Sequence, residues 1–358
     1  QEGDMVTRPE IQKYHESTRR SIVWIVLFAV LTVILVFLSL SASTVKIGVL
    51  ESFTILSDHL SGIEPSGYLP SLKDRIVFEQ NIPRAIGAII AGTVLSISGA
   101  ALQSLIRNPL ADPYTLGISS GAMFGMVLSA GLGISVIPFI SESDSMIVNA
   151  FIMSLIPTAV IVFIAAFKKV TATTMILCGI AVMYIFTAFT TLIKYTVDPE
   201  TLAFIYEWSI GSVSGLSWGS LPKLIAAVLI VGIPMALVHR QIDIVAQGDD
   251  GAIALGIRPN RLRIISLVFI SLGTAIVVCY TGTIGFVGLV APHIARMLVG
   301  SQSRTLIPAS AVIGSFMVLG ADYIVRIVAP SLPVGAILAL VCSPIFIFIL
   351  VKMRKSAW

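Results

Sequence analysis

Between Arg84 and Arg107 the chain carries 22 consecutive uncharged residues. Wound as a helix they span roughly 33 Å, about the thickness of a bilayer hydrocarbon core. The surrounding segment 82–113, IPRAIGAIIAGTVLSISGAALQSLIRNPLADP, therefore predicts a membrane-crossing helix that begins near a basic residue and ends in a proline-rich turn. Small residues recur at every fourth position, at Ala88, Gly92, Ser96, Ala100 and Ser104. They lay a narrow groove along the helix in which a neighbouring backbone can come close. Any crowded helix of a membrane bundle would carry the same groove, so the stripe predicts packing without naming its partner.

The rest of the chain must meet lipid too. Of 358 residues 56% are hydrophobic and 12% charged, against roughly 45–50% and 25% in soluble domains. The fold class is all-α and polytopic, with ten spans near 22–42, 82–106, 114–136, 146–167, 172–196, 218–238, 262–281, 284–299, 305–325 and 333–351. Pro157, Pro234 and Pro292 interrupt three of them, which a membrane helix tolerates when neighbours satisfy the freed carbonyls. The first apolar run follows a polar segment, 1–21, and is too long for a signal-peptide core, so it reads as a retained span. A membrane-spanning domain then occupies 22–352 and a short tail 353–358. With both termini on one side, 16 of the 23 basic residues fall there; the other side receives Lys46, Lys73, Arg75, Arg84, Lys194, Lys223 and Arg326. That asymmetry predicts cytoplasmic termini in a cell membrane. A net charge of +4 follows loop position and forms no patch for nucleic acid.

Chemistry-bearing residues are sparse. Cys178, Cys279 and Cys342 lie in apolar runs and read as packing residues, with no disulfide framework or metal cluster implied. No Asp or Glu is expected at mid-membrane depth, where ion-coupled carriers usually place the groups that bind the coupling ion. The pathway then looks driven from elsewhere. The longest inner connection, 240–263, reads RQIDIVAQGDDGAIALGIRPNRLR. It turns at Gly248, places Asp249 and Asp250 at the positive end of a short helix, and stops at Gly256 before Pro259. Such a helix lying across the inner face could insert into a partner; an ordinary capped loop helix has the same pattern. On the outer side, 43–81 is too short for a separate domain, and 198–217 contains EWSIGSVSG, a short interfacial helix with Trp208 and Trp218 at headgroup depth. The Gly-rich stretches SISGA and GTIGFVGLVAPH sit at loosely corresponding places in the two halves, as in a duplicated transporter.

Four segments carry a resemblance. PRAIGAIIAGTVLSISGAALQSLIRNPLADPYTLGISSGA, GDDGAIALGI, GTIGFVGLVAPHIARML and LPVGAILALVCSPIFIFIL, in this order, closely resemble the permease subunits of ABC importers for iron–siderophores, haem and cobalamin. With the spans between them they cover most of the chain from about residue 80. The resemblance implies the type II importer permease architecture: a homodimer of ten-helix subunits, two cytoplasmic ATPase subunits and an extracytoplasmic solute-binding protein. It places ATPase coupling on Gly248, Asp249, Asp250, Gly251, Ala254, Leu255 and Gly256. It places binding-protein docking on Arg84 and Arg326, although both positions also suit arginines that snorkel to the interface. Asn81 departs from a third docking position where an arginine is common, with Lys73 or Arg75 as substitutes. Tyr184, Thr187 and Thr191, near Lys194 and Tyr195, match a pathway-lining face, while a membrane threonine also bonds readily to its own backbone. His293 stands without a second ligand at metal spacing and reads as a hydrogen-bonded structural residue.

No GxxxxGK[ST] phosphate loop is present, so the chain itself is expected to bind no cofactor, with ATP and magnesium used by a separate ATPase subunit. The rival reading is an ion-coupled secondary carrier, for which a docking loop has no use. An intramembrane enzyme would need a metal motif or a paired nucleophile and base that the sequence lacks.

Overall fold

The computed structural model describes residues 8–353 apart from Thr44, Glu64, 168–170 and Ser331, with side chains at 8–17, 350, 352 and 353 not described. The expected segments 1–7 and 354–358, and the basic pair at 168–169, lie outside the described residues. Helices make up the whole framework, and there is no strand among the described residues. In chain order they are α1 (Arg8–Ser41), α2 (Val49–Leu60), α3 (Tyr68–Arg75), α4 (Ile82–Ile106), α5 (Ile118–Leu132), α6 (Glu142–Phe167), α7 (Ala172–Lys194) and α8 (Pro199–Ile210). Then follow α9 (Leu221–Leu237), α10 (His239–Gln247), α11 (Asp249–Ala254), α12 (Pro259–Thr281), α13 (Val287–Val299), α14 (Ser303–Val328) and α15 (Val334–Met353).

Six helical stretches are long and apolar enough to cross a membrane. A seventh passage is α9, which bends by 61° into α10 at its end. The shorter apolar helices α5, α13 and Val334–Ile349 complete the expected set of ten among the described residues. Side chains settle the relative sidedness: the starts of α12 and α14 meet the ends of α4 and α13 on the face where α1 begins, called the near face below. The ends of α1 and α14 meet the start of α4 on the opposite, far face.

Helix α4 is the axis of the bundle, buried on nearly every side, whereas α1 is mostly exposed. Its stripe works as the sequence predicts. A methyl group at Gly92 would run into the backbone of Gly314 and Ser315 in α14, and one at Gly314 would run into Ser96. The Ser315 hydroxyl lies 2.8 Å from that of Thr93 and 3.1 Å from the Ile89 carbonyl. Lipid tails are as apolar as these side chains, so close van der Waals packing and interhelical hydrogen bonds hold such a seam. A second seam was not legible in the stripe: Gly99, one position off it, abuts Gly288 of α13. On the far side of the bundle α5 meets α6 the same way, Gly121 on the Met153 carbonyl and Gly125 on that of Asn149.

Two features at the ends of α4 differ from the sequence-based picture, each for a physical reason. Helix α4 spans 82–106 as expected, but it continues α3 through a π-helical turn, Ile76–Asn81, so one helical stretch reaches back to Tyr68. Pro83 cannot donate to the carbonyl one turn back and its ring crowds that turn, which a widened turn accommodates. The second difference concerns 107–113. Arg107 closes α4 in the left-handed region at φ 54°, and the chain then turns back into the bundle. Asp112 ends up buried, its carboxylate beside Gly288, which also packs against the Leu95 carbonyl halfway along α4. The expectation that no acid lies at mid-membrane depth is therefore corrected: Asp112 does, and caps the turn Pro113–Leu116 by accepting from the Tyr114 N–H at 2.7 Å. Because this turn carries the chain inward, α5 needs only 15 residues to finish the crossing.

Candidate functional site: the two ends of the α4 axis

On the near face the connection from α9 folds as two short helices, not one. α10 ends at Gly248, whose φ of 146° favours glycine, and α11 ends ahead of Gly256, at φ 80°. The two acids that open α11 do different things. Asp250 is exposed. Asp249 turns inward and accepts two hydrogen bonds from the Arg263 guanidinium, at 2.8 and 2.7 Å. Arg263 is 2% exposed; its Nε donates to the Leu105 carbonyl at 2.8 Å, and its Nη1 also reaches Asn260 at 3.2 Å. Arg107 adds a looser contact with Asp249 at 3.8 Å. The hydrogen bonds from Arg263 hold the Asp249 carboxyl below its ordinary value, against the opposing effect of burial. Ala252 packs inward, while Ile253 and Leu255 stand 61% and 69% exposed beside exposed Gly251, Ala254 and Gly256. α11 thus presents an apolar tip on a tethered base.

Neighbouring ties close the same face. Asp243 of α10 accepts from the Ser303 N–H at 2.8 Å and so caps α14. Arg296 of α13 bonds to Gln103 and, at 3.3 Å, to Ser104 of α4.

On the far face Arg84, Asp322 and Arg326 form one cluster. Arg84 Nε lies 2.8 Å from Asp322 Oδ1, and Arg326 Nη2 lies 2.7 Å from Oδ2. Asp322 is fully buried and Arg326 is 8% exposed. Arg326 Nη1 also donates to the Ser39 carbonyl at 3.0 Å and to Asn81 at 2.9 Å, and Asn81 donates to the Leu40 carbonyl at 2.8 Å. Three helix ends, those of α1, α4 and α14, are thereby tied. Asn81 fits this network better than an arginine would, because it both accepts from Arg326 and donates to α1. Lys73 is paired with Glu51 at 2.5 Å, and Arg75 is exposed beside Glu79 at 3.5 Å.

Tyr184, Thr187 and Thr191 are all exposed along α7. The Thr187 and Thr191 hydroxyls donate to the carbonyls of Met183 and Thr187 at 2.8 Å, the local bonding weighed from the sequence. Lys194 lies over the Tyr206 ring at 4.6 Å. Helix α8 forms where the interfacial helix was expected, and Trp218 donates its indole N–H to the Phe78 carbonyl at 2.9 Å. His293 is buried, with Nδ1 2.7 Å from the Leu289 carbonyl and its ring edge-on to Phe346. Cys279 and Cys342 are buried and Cys178 is half-buried, all as free thiols. Among the described residues no three His, Cys, Asp or Glu side chains gather as a metal site.

Sequence reading missed Arg263, Asp322 and Asp112 as organising groups. Asp322 and Arg326 carried a signal, since opposite charges four apart inside an apolar helix face each other. Arg263 gave none, being one of four basic residues in the connection 240–263.

Comparison with known proteins bears on this arrangement. The iron(3+)-hydroxamate import system permease of Bacillus subtilis is 32% identical over 346 residues, covering 94% of this chain and 98% of the relative. The vitamin B12 import system permease of Vibrio cholerae is 33% identical over 296 residues, 82% of this chain and 88% of the relative. A solved structure described as an inward-facing conformation of a metal-chelate type ABC transporter superposes with a TM-score of 0.79 at 25% identity, covering 92% of this chain and 98% of that one. The profile of the FecCD transport family matches residues 31–352, which include α4, α11 and both charge clusters. The chain is a multi-pass membrane protein and belongs to the FecCD transport family.

Proposed function

We propose that the chain is the membrane-spanning subunit of an ATP-driven ABC importer, working as a pair of identical copies that pass a metal-chelate or corrinoid-type solute inward by alternating access. The observation that carries this reading is α11: a six-residue helix between two glycine turns, with Ile253 and Leu255 exposed on its tip and no phosphate loop anywhere in the chain. An apolar tip of that kind suits a cleft in a partner, and the partner that supplies the missing nucleotide chemistry is an ATPase subunit bound at the near face. The excess of basic residues on the near face makes it the cytoplasmic one. Asp250, Gly251, Ala254, Leu255 and Gly256 then form the contact, with Gly248 and Asp249 behind it on the side of the bundle.

A solute-binding protein docks at the far face in this reading. Arg84, whose side chain is 17% exposed, offers it a charged edge, and Arg326 holds that edge in place through Asp322. Reversing both arginines to Glu would gather three carboxylates at one buried site, so the docking test is Arg84→Gln alone. Weaker capture of the binding protein, with ATPase assembly retained, is the expected result. The exposed face of α7 with Tyr184, Thr187 and Thr191 faces the pathway between the two copies. The deciding experiment is ATPase activity of the complex reconstituted in liposomes with its binding protein and a ferric hydroxamate, haemin or cyanocobalamin. Stimulation by one of them supports the reading. Uptake driven by an ion gradient in liposomes lacking the ATPase subunits would assign the chain to the secondary carriers instead.

A further inference from the structure

We propose that Asp249 is a positioning residue: its bidentate pair with Arg263 transmits movement of α11 to the membrane helices, and it takes no part in the surface on which the ATPase sits. This rests on the coupling role given to α11 above.

A helix of six residues has little hold on its own orientation, since helix formation is cooperative and short helices are marginal in isolation. Gly248 and Gly256 flank α11 at positive φ, so the helix is broken on both sides of it, from α10 and from α12. A methyl group at Gly256 would meet nothing within 4 Å, so no packing stiffens that turn. What ties α11 to the bundle is the buried side of Ala252, the two hydrogen bonds from Arg263 to Asp249 and, more loosely, Arg107 at 3.8 Å from the same carboxylate. Arg263 is itself fixed. It is 2% exposed in the second turn of α12, and its third donor is spent on the Leu105 carbonyl in the last turn of α4. One planar guanidinium therefore joins three helices, and its fork geometry resists rotation as well as separation. Ile253 and Leu255 point away from this joint and are free to be gripped. A displacement applied at the tip reaches α4 and α12 through Asp249. Because α4 packs through glycines against both α13 and α14, it cannot shift without carrying them.

The test uses the complete complex, the paired chain with its ATPase subunits, in liposomes. Cys178, Cys279 and Cys342 are replaced by alanine and spin labels are placed at residue 184 of both copies. The readout is the label-to-label distance without nucleotide and with ATP. Wild-type labels are expected to shift on ATP addition. In Asp249→Asn the ATPase subunits are expected to stay bound at wild-type stoichiometry while the ATP-driven shift falls to less than half, and Asp249→Glu is expected to restore most of it. Arg263→Lys, which keeps the charge but loses the fork, should fall between the two and stands in if Asp249→Asn does not fold. Leu255→Asp should release the ATPase subunits. A full shift in Asp249→Asn, or loss of its ATPase subunits as in Leu255→Asp, overturns the proposal. Absence of any ATP-driven shift in the wild type, or retention of the ATPase subunits by Leu255→Asp, strikes the coupling reading itself.

Discussion

The two ends of α4 are both fastened by arginine and aspartate, yet they are built for opposite purposes. At the far end Asp322 is fully buried between Arg84 and Arg326, and Arg326 Nη1 also reaches the Ser39 carbonyl and Asn81. At the near end the arginine is buried but the carboxylate is not: the Asp249 side chain keeps 36% of its exposure and sits on a helix hinged at two glycines. Removing one member of a dry ion-pair cluster strands charge in a medium that cannot solvate it, whereas a half-wet pair can part and be rehydrated. The same chemistry thus makes a dry joint at one end of the axis and a half-wet one at the other.

The comparison breaks most readily at the far end. Asp322→Leu leaves the buried Arg326 guanidinium and the half-buried Arg84 without an anion and is expected to cost about 3–5 kcal/mol, read as a fall in the thermal midpoint of the detergent-solubilised protein. Replacing Arg84, Asp322 and Arg326 together by apolar residues should recover most of that loss, because the cost lies in the unpaired charges. A smaller effect is expected in the seam between the two ends. Gly314→Val pushes its side chain into Ser96 and the Gly92 carbonyl, and overpacking of this kind costs about 1–3 kcal/mol by the same measurement.

At the near end Asp249→Asn should lower the midpoint by less than either of these, about 1 kcal/mol or below, since the carboxylate is partly exposed and screened. Its pH dependence has a definite sign. The folded-state carboxyl is held below its ordinary value of 3.8, so the pair's contribution is complete above that value and is lost only as pH falls below it. ATP-driven movement of the pathway helices should therefore not change between pH 6 and 8 on account of this pair, and a loss within that range that disappears in Asp249→Asn would refute the assignment. The smallest effect belongs to Arg75→Ala, where both partners of the Arg75–Glu79 pair are largely exposed. It should leave stability within about 0.5 kcal/mol of wild type, unlike any change at Arg84 or Arg326.

Much of the architecture was legible before any coordinates, because in lipid the demand that backbone groups bond within their own segment leaves little besides apolar helices. The ten passages, the short inner helix at Asp249 and the packing role of Gly92 and Ser96 all follow from local spacing. Asp112 escaped that reading, since a count of apolar residues treats a proline-rich turn as lying outside the membrane and cannot see the chain fold back beside Gly288. The partners of the arginines were hidden for a related reason. Arg84 and Asp322 are 238 positions apart and Arg263 and Leu105 are 158 apart, and nothing in a helical period reports which helix ends will meet.

The sequence by itself determined that the chain crosses the membrane repeatedly, which positions are small enough for helices to touch, and where the short helix at Asp249 can start and stop. These depend on transfer to lipid and on local backbone geometry. Only the tertiary structure decided which charges are buried together and which stay wet. That choice separates the dry joint at Asp322 from the half-wet one at Asp249, and it depends on how α1, α4, α12 and α14 pack, a property no single stretch of chain contains.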